Sequence, residues 1–419
     1  MEINISASQV KAKLRAPASK SMLQRALLAA FLVGKEFVIE GYSSSADADA
    51  VLDVVRKLGT DVRKEGNRLF LSPEKEEKSA QLNVGESGLA IRLLSPILAL
   101  YDQAFTLAAQ GTLRKRPMDL IEKSLQANQV ICSSNNGFAP LHICGPLAGG
   151  AISLDASEGS QFLSGLLMAL PKAKKDSSIK VENLKSKPYV LMTLGLLKDF
   201  GIQIEAQGFQ HFRIAGNQSY QGSRYNVEGD WSAAAFLLTA AAIGGSLRLE
   251  NIRKDSLQGD KAIVAILREV GAYVQQERES IFVEKNELNA FSYDATETPD
   301  LFPPLAALAV ACKGQSRIKG VHRLKHKESN RAETIRKVFE DLKLKIAFEG
   351  DEMIIEGGNV DSGRVSSFHD HRIAMMGALL GLISKNSVTI TEAESVEKSY
   401  PNFFEDLKLI GVEMVWSKF

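Results

Sequence analysis

VLDVVRKLGTDVRKEGNRLFL, residues 51–71, carries two periods in one run. Val51, Leu52, Val54, Val55 and Leu58 recur at three- and four-residue steps, the spacing of an amphipathic helix that ends at Leu58-Gly59. Beyond the glycine, Val62 on one side of Glu65-Gly66-Asn67 and Leu69 and Leu71 on the other alternate as in two short strands around a polar turn. The composite returns at 120–145, 191–216, 263–285, 334–358 and 403–416, about every 70 residues. The last copy, FFEDLKLIGVEMVW, stops before its return strand. The chain opens MEINIS, with Ile3 and Ile5 at alternate positions, and this segment is expected to supply the missing strand, which puts both termini in one domain.

Between the copies lies a second recurring element, a helix with no polar face: SMLQRALLAAFL (21–32), GLAIRLLSPILALY (88–101), QFLSGLLMALP (161–171), WSAAAFLLTAAAIG (231–244), FPPLAALAVACKG (302–314) and HRIAMMGALLGLI (371–383). A helix apolar on every side must be buried on every side. Six such helices, six amphipathic ones and the strands around them predict two α/β domains of three units each; ordinary βα alternation is the plainer account of the same period. The 419 residues suffice for two or three domains with separate cores.

The totals narrow the function. With 51 basic and 50 acidic residues the formal charge is +1, so no whole-chain bias points to nucleic acid or membrane. Cys132, Cys144 and Cys312 are widely spaced and read as reduced and structural. The first residues have no apolar signal core and no apolar run reaches the length of a membrane span, so a cytoplasmic location is expected.

Each buried helix follows a short polar motif: PASKS, GESG, SEGSQ, EGDWS, ETPD and FHDH. The first N–H groups of a helix lack intrahelical partners and carry the positive end of its dipole, so such ends attract anions. Simple N-capping by Ser, Gly and Asp is the alternative. Caps do not account for Lys20, Arg25 and Arg92, because a cation inside an apolar helix is costly without a partner charge.

Further cations fall in GTLRKRPMDL, where Arg116 precedes a Pro117 expected at the first helical position, and in HRLKHKESNRAETIRKV, where Lys327, Glu328 and Arg331 are expected to open a helix. Glu328 and Arg331, one turn apart, could equally form a surface ion pair. His371, Arg372 and Lys398 follow in FHDHRIAMM and EKSYPNFF. A divalent metal on His369 and His371, or on His322 and His326 along one helix face, is disfavoured because the latter pair lies among cations. No phosphate-binding loop ending Gly-Lys-Ser/Thr, no dinucleotide fingerprint and no nucleophile elbow is present. What remains suits a reaction between small polyanions: guanidinium forks take up carboxylate and phosphate, and Lys, Asp and Glu move protons.

PASKSMLQRALL, LRKRP, GSQFLSGLLMA, SKPY, EGDWSAA, HKESNR, HDHRIAM and KSYPNFF, in that order, resemble the motifs of the 5-enolpyruvylshikimate-3-phosphate synthase family of enolpyruvyl transferases. The resemblance implies an inside-out α/β fold: two domains, each of three βαβαββ units with buried central helices, here 1–17 with 229–419 and 18–228, and an active site in the cleft between them. It implies no cofactor and no metal, the small-molecule substrates shikimate 3-phosphate and phosphoenolpyruvate, no nucleic-acid or membrane partner, and a monomer. It implies that Lys20, Ser21, Arg25, Ser160, Gln161, Ser186, Tyr189, Asp300 and Lys327 hold shikimate 3-phosphate. Lys20, Gly88, Arg92, Arg116, Gln161, Arg331, His371, Arg372 and Lys398 would meet phosphoenolpyruvate, and Asp300, Glu328 and Lys20 would carry the proton transfers.

The chain departs from the family pattern at Glu86 and Leu89, where Asn-Ala-Gly-Thr or Asn-Ser-Gly-Thr is usual, at Gly159 and at Arg323. A carboxylate at 86 would repel phosphoenolpyruvate unless it pairs with a local Arg. Two other readings stay open: the sister transferase acting on UDP-N-acetylglucosamine, whose catalytic cysteine loop has no evident match, and a catalytically silent phosphometabolite-binding protein.

Overall fold

A computed structural model describes residues 1–74 and 79–417. The chain divides into two compact units, one formed by Met1–Ser19 and Glu228–Phe419, the other by Lys20–Val227. It passes from one to the other at residues 19–20 and 227–228.

Each unit holds three four-stranded sheets among the described residues, and all six have one plan. In residues 81–144 a strand, Gln81–Asn83, is followed by the apolar helix Gly88–Leu98, a parallel strand Ala104–Ala108, the amphipathic helix Asp119–Ala127 and the hairpin Ile131–Asn135/Phe138–Cys144. The hairpin's second strand returns antiparallel to Ala104–Ala108, and its first lies at the edge. Alternation decides the facing: Phe105, Leu107, Leu141 and Ile143 point inward and are buried, while the residues between them reach solvent.

The apolar helices are Lys20–Val33, Gly88–Leu98 and Gln161–Ala169 in one unit, and Trp231–Gly244, Phe302–Ala311 and His371–Leu382 in the other. The last three pack on one another, and Gly88–Leu98 packs on both of its counterparts. Trp231–Gly244 is buried from Trp231 to Ile243. Helices in the middle and sheets outside make an inside-out α/β arrangement, in which truncating a central residue such as Leu27 or Leu238 costs about 2–5 kcal/mol.

The repeat is broken at both ends in a way that ties the chain together. Glu2–Ser6 sits between Ser387–Thr391 and Met414–Ser417, antiparallel to both, and so fills the place of the return strand that the last copy lacks. Val10–Arg15 leads into helix Lys20–Val33 but pairs in parallel with Gly245–Glu250. Arg224–Asn226 leads into helix Trp231–Gly244 but pairs in parallel with Phe37–Glu40. Two first strands have thus exchanged sheets, and each chain passage follows one of them. No helix among the described residues is long and apolar enough to cross a membrane.

Candidate active site

In the Lys20–Val227 unit, Lys20 is the first residue of its helix and its Nζ lies 2.7 Å from Asp47 Oδ2. Asp47, 5% exposed, is a counter-charge that sequence reasoning missed. One turn on, Arg25 is fully buried: Nε donates to Thr193 Oγ1 at 2.8 Å and Nη1 to the Ser21 carbonyl at 2.8 Å. Burial pushes Arg25 down to about 10, with Tyr189 and Tyr225 acting the other way, so it stays charged at neutral pH. Thr193, also missed, lies within 3.0 Å of the Tyr189 carbonyl and of Ser164 Oγ, which joins Arg25 to the Ser186–Tyr189 segment. Ser186, buried, holds a left-handed φ of 59° just before helix Lys187–Asp199. Ser160 and Gln161 open helix Gln161–Ala169 without a side-chain cap. Arg92 reaches back to the Gly88 carbonyl at 2.9 Å, and the Arg116 guanidinium lies against the Gly88 Cα, where a Cβ would stand 2.4 Å from Nη1.

Three of the apolar helices carry a side-chain cap. Ser87, Asp230 and Asp370 are true caps, accepting from Ala90, Ala233 and Arg372 N–H respectively. The helices that begin at Gln161 and Phe302 have no side-chain cap. Pro117 is not at the first helical position as expected: Met118 N donates to Gly137 O at 2.8 Å, and the helix starts at Asp119.

In the other unit the cations are assembled around buried carboxylates. Arg331, 1% exposed, donates from Nε to Asp370 Oδ2 at 2.8 Å, from Nη1 to Asp300 Oδ1 at 2.8 Å and from Nη2 to Glu328 Oε2 at 2.6 Å. Asp300 also faces Arg372 Nη2 at 3.2 Å and Lys327 Nζ at 3.5 Å. Burial works against ionising Asp300, but Arg372, Lys327 and Arg331 outweigh it and hold its carboxyl far below the usual carboxylate range. Burial lowers Lys327, and Arg331 adds to that while Asp300 opposes it. Arg331 is pushed up despite burial, by Asp370, Glu328 and Asp300.

Two expectations about this segment are corrected. Lys327 and Glu328 do not open a helix: Asn330 has φ −73° and ψ 88°, outside the helical region, so Arg331 is the first helical residue and the other two lie on the bend before it. The Glu328–Arg331 pair is not at the surface either, with side chains 15% and 1% exposed. His322 lies in a short 3-10 turn, Val321–Leu324, that ends before His326, so the two share no helix face; its Nδ1 is 2.8 Å from Asp351 Oδ1. Among the described residues no group of three or more His, Cys, Asp and Glu is disposed to hold a metal ion.

His371 and Arg372 open helix His371–Leu382, and buried Lys398 ends the turn Ala393–Lys398, which packs against that helix. Asp370 and Asp260 were not read from the sequence as site residues. Asp370, 0% exposed, caps its helix, accepts from Ser329 Oγ at 3.0 Å and orients Arg331. Asp260 accepts from Ser232 Oγ; burial first, then the charge of Asp300, pushes it up to about 6. Their signal was present in the motifs HDH and QGD, but nothing local distinguishes a carboxylate that orients a cation from one that caps a helix.

The two clusters lie on the motifs of a known family. A family model described as EPSP synthase (3-phosphoshikimate 1-carboxyvinyltransferase) matches residues 5–407. A Clostridium perfringens protein named 3-phosphoshikimate 1-carboxyvinyltransferase is 35% identical over 98% of both chains. A Methanocella arvoryzae protein of the same name is 37% identical over 99% of this chain and 100% of its own. The solved structure of EPSP synthase from Acinetobacter baumannii matches with a TM-score of 0.84 and 25% identity, over 99% of this chain and 100% of that one. With its fold, its motif order and its relatives in agreement from end to end, the chain belongs to the EPSP synthase (3-phosphoshikimate 1-carboxyvinyltransferase) family.

Proposed function

We infer that this enzyme moves the enolpyruvyl group of phosphoenolpyruvate to the 5-hydroxyl of shikimate 3-phosphate, releasing phosphate. Beyond family membership, the observation that carries the reading is Arg331, held at hydrogen-bond distance from Asp300 and Glu328 together. It joins an acid and a base to a cation suited to a phosphorylated reactant.

In the proposed division of labour, Lys20, Ser21, Arg25, Ser160, Gln161, Ser186, Tyr189 and Lys327 hold shikimate 3-phosphate. Gly88, Arg92, Arg116, Gln161, Arg331, His371, Arg372 and Lys398, with Lys20, receive phosphoenolpyruvate. Glu328 gives a proton to the methylene carbon, which makes C2 electrophilic. The 5-hydroxyl oxygen bonds to C2 while Asp300 takes its proton, and a tetrahedral ketal forms. The C2–O bond to phosphate then breaks with its electron pair, the methyl group returns a proton to the Glu328 carboxylate, and the enol ether is restored. Fixed cations around the departing phosphate stabilise it without reorganisation.

Free Asp300 is a weak base because Arg372, Lys327 and Arg331 favour its ionised form. A bound phosphoenolpyruvate would draw on Arg331 and Arg372, raising the proton affinity of Asp300 toward the range its role needs.

Phosphate release from shikimate 3-phosphate and phosphoenolpyruvate tests the reading. Release that requires both substrates is expected. Release only with UDP-N-acetylglucosamine would transfer the chain to the sister reaction, and binding without release would make it a silent homologue.

A further inference from the structure

The Glu86 carboxylate lies beside the loop that leads to Arg116. Its Oε2 accepts from Thr112 N–H at 3.0 Å and from Thr112 Oγ1 at 2.8 Å, and its Oε1 lies over the Gly111 Cα. A Cβ on Gly111 would stand 2.0 Å from that oxygen and would displace the Glu86 side chain, and the φ of Gly111, +49°, is one that glycine adopts without strain. The Gln110 N–H adds a bond to the Gly85 carbonyl at 2.8 Å, and Leu113, fully buried, anchors the turn from below. Five residues from Gly111, the Arg116 guanidinium rests on Gly88, two residues beyond Glu86. The two segments therefore meet at three points: Gly85 with Gln110, Glu86 with Thr112 and Gly88 with Arg116.

We propose that Glu86 is a positioning residue, clasping Gly111-Thr112 so that Arg116 is held over Gly88 in readiness for the carboxylate or phosphate of phosphoenolpyruvate. The proposal rests on the assignment of Arg116 under the proposed function. The carboxylate accepts from an N–H and a hydroxyl of the loop, which orient it toward Gly111-Thr112 without neutralising its charge.

Steady-state kinetics of the full chain with both substrates decides it. Glu86→Ala should raise KM for phosphoenolpyruvate about tenfold while KM for shikimate 3-phosphate stays within about twofold. Glu86→Gln keeps an acceptor oxygen and should remain within about threefold of wild type for phosphoenolpyruvate. Arg116→Ala should raise the same constant, and Glu86→Ala/Arg116→Ala should exceed Arg116→Ala by no more than about twofold, because the clasp has nothing left to position. If Glu86→Ala does not fold, Thr112→Val, which deletes only the hydroxyl donor, should raise KM for phosphoenolpyruvate about threefold. Additive effects, equal rises in both KM values, a wild-type KM in Glu86→Ala or Thr112→Val, or tighter phosphoenolpyruvate in Glu86→Gln, as direct repulsion would give, each overturn the clasp. An unchanged KM in Arg116→Ala strikes the assignment of Arg116 itself, whereas an Arg116 effect without a Glu86 effect strikes the clasp alone.

Discussion

Replacing Arg331 by alanine removes a guanidinium that is 1% exposed and donates to Asp370, Asp300 and Glu328. Each charge-assisted hydrogen bond contributes about 1.5–3 kcal/mol. Arg372 and Lys327 still face Asp300 after the change, so the losses do not simply add. The expected cost is about 3–5 kcal/mol, the range found when one partner of a buried ion pair is deleted. Both tryptophans, Trp231 and Trp416, belong to the same unit as Arg331, so urea unfolding followed by tryptophan fluorescence reports on that unit. The pH dependence gives a second handle. Asp300 has a depressed pKa, so its contribution to stability is present above the ordinary carboxylate value and is lost only as pH falls through the much lower folded one. Without Arg331 that depression shrinks but the folded value stays below the ordinary one, so the deficit should be the same at pH 7.5 and pH 4.5 and narrow only as pH falls below the ordinary carboxylate value. A deficit below about 1 kcal/mol at pH 7.5, or one that already shrinks between pH 7.5 and pH 4.5, would refute the reasoning.

Glu328→Gln retains a group able to accept from Arg331 but cannot deliver a proton, so turnover should fall at least about a hundredfold with both KM values within about threefold; stopped-time phosphate assays check this, and wild-type turnover would remove Glu328 from the proton path. Asp260, raised from the ordinary 3.8 to about 6, contributes stability that is present below the unfolded value and lost as pH rises through 6. Asp260→Asn should therefore gain on the wild type by up to about 3 kcal/mol between pH 4 and pH 8, read from urea midpoints, and parallel pH profiles would count against it.

The fold was legible where periodicity is local. Val51, Leu52, Val54 and Val55 mark a buried stripe that any chain of that pattern would hide, and the helices without polar faces could only be central. The exchange of Val10–Arg15 and Arg224–Asn226 between sheets was not legible, since a parallel strand of six or three residues carries no mark of which distant strand it joins. Site cations were easier to read than their partners. Asp47 shares a stripe with Val51 and Val55 at four-residue steps, and Arg331 shares one with Ile335 and Phe339. An ionised group at an apolar stripe position signals a buried counter-charge, but not where it comes from: Lys20 finds Asp47 at a distance of 27 residues and Arg331 finds Asp370 at 39.

That pairing bears on how the site handles charge. A bare set of buried cations would repel itself and destabilise the helices that carry it, and the chain pairs Lys20 with Asp47, and Arg331, Arg372 and Lys327 with Asp300. In the proposed reaction the incoming anions must compete with these carboxylates, and affinity then reflects the difference between two sets of ion pairs, not the sum of new ones. The competition is asymmetric. Asp370 is fully buried, caps a helix and is bound to Arg331 through Nε, so it keeps its cation, whereas Asp300 and Glu328, 21% and 15% exposed, hold only the outer nitrogens. Substrate binding would therefore loosen the two carboxylates whose protons the chemistry uses and leave in place the one that orients the guanidinium.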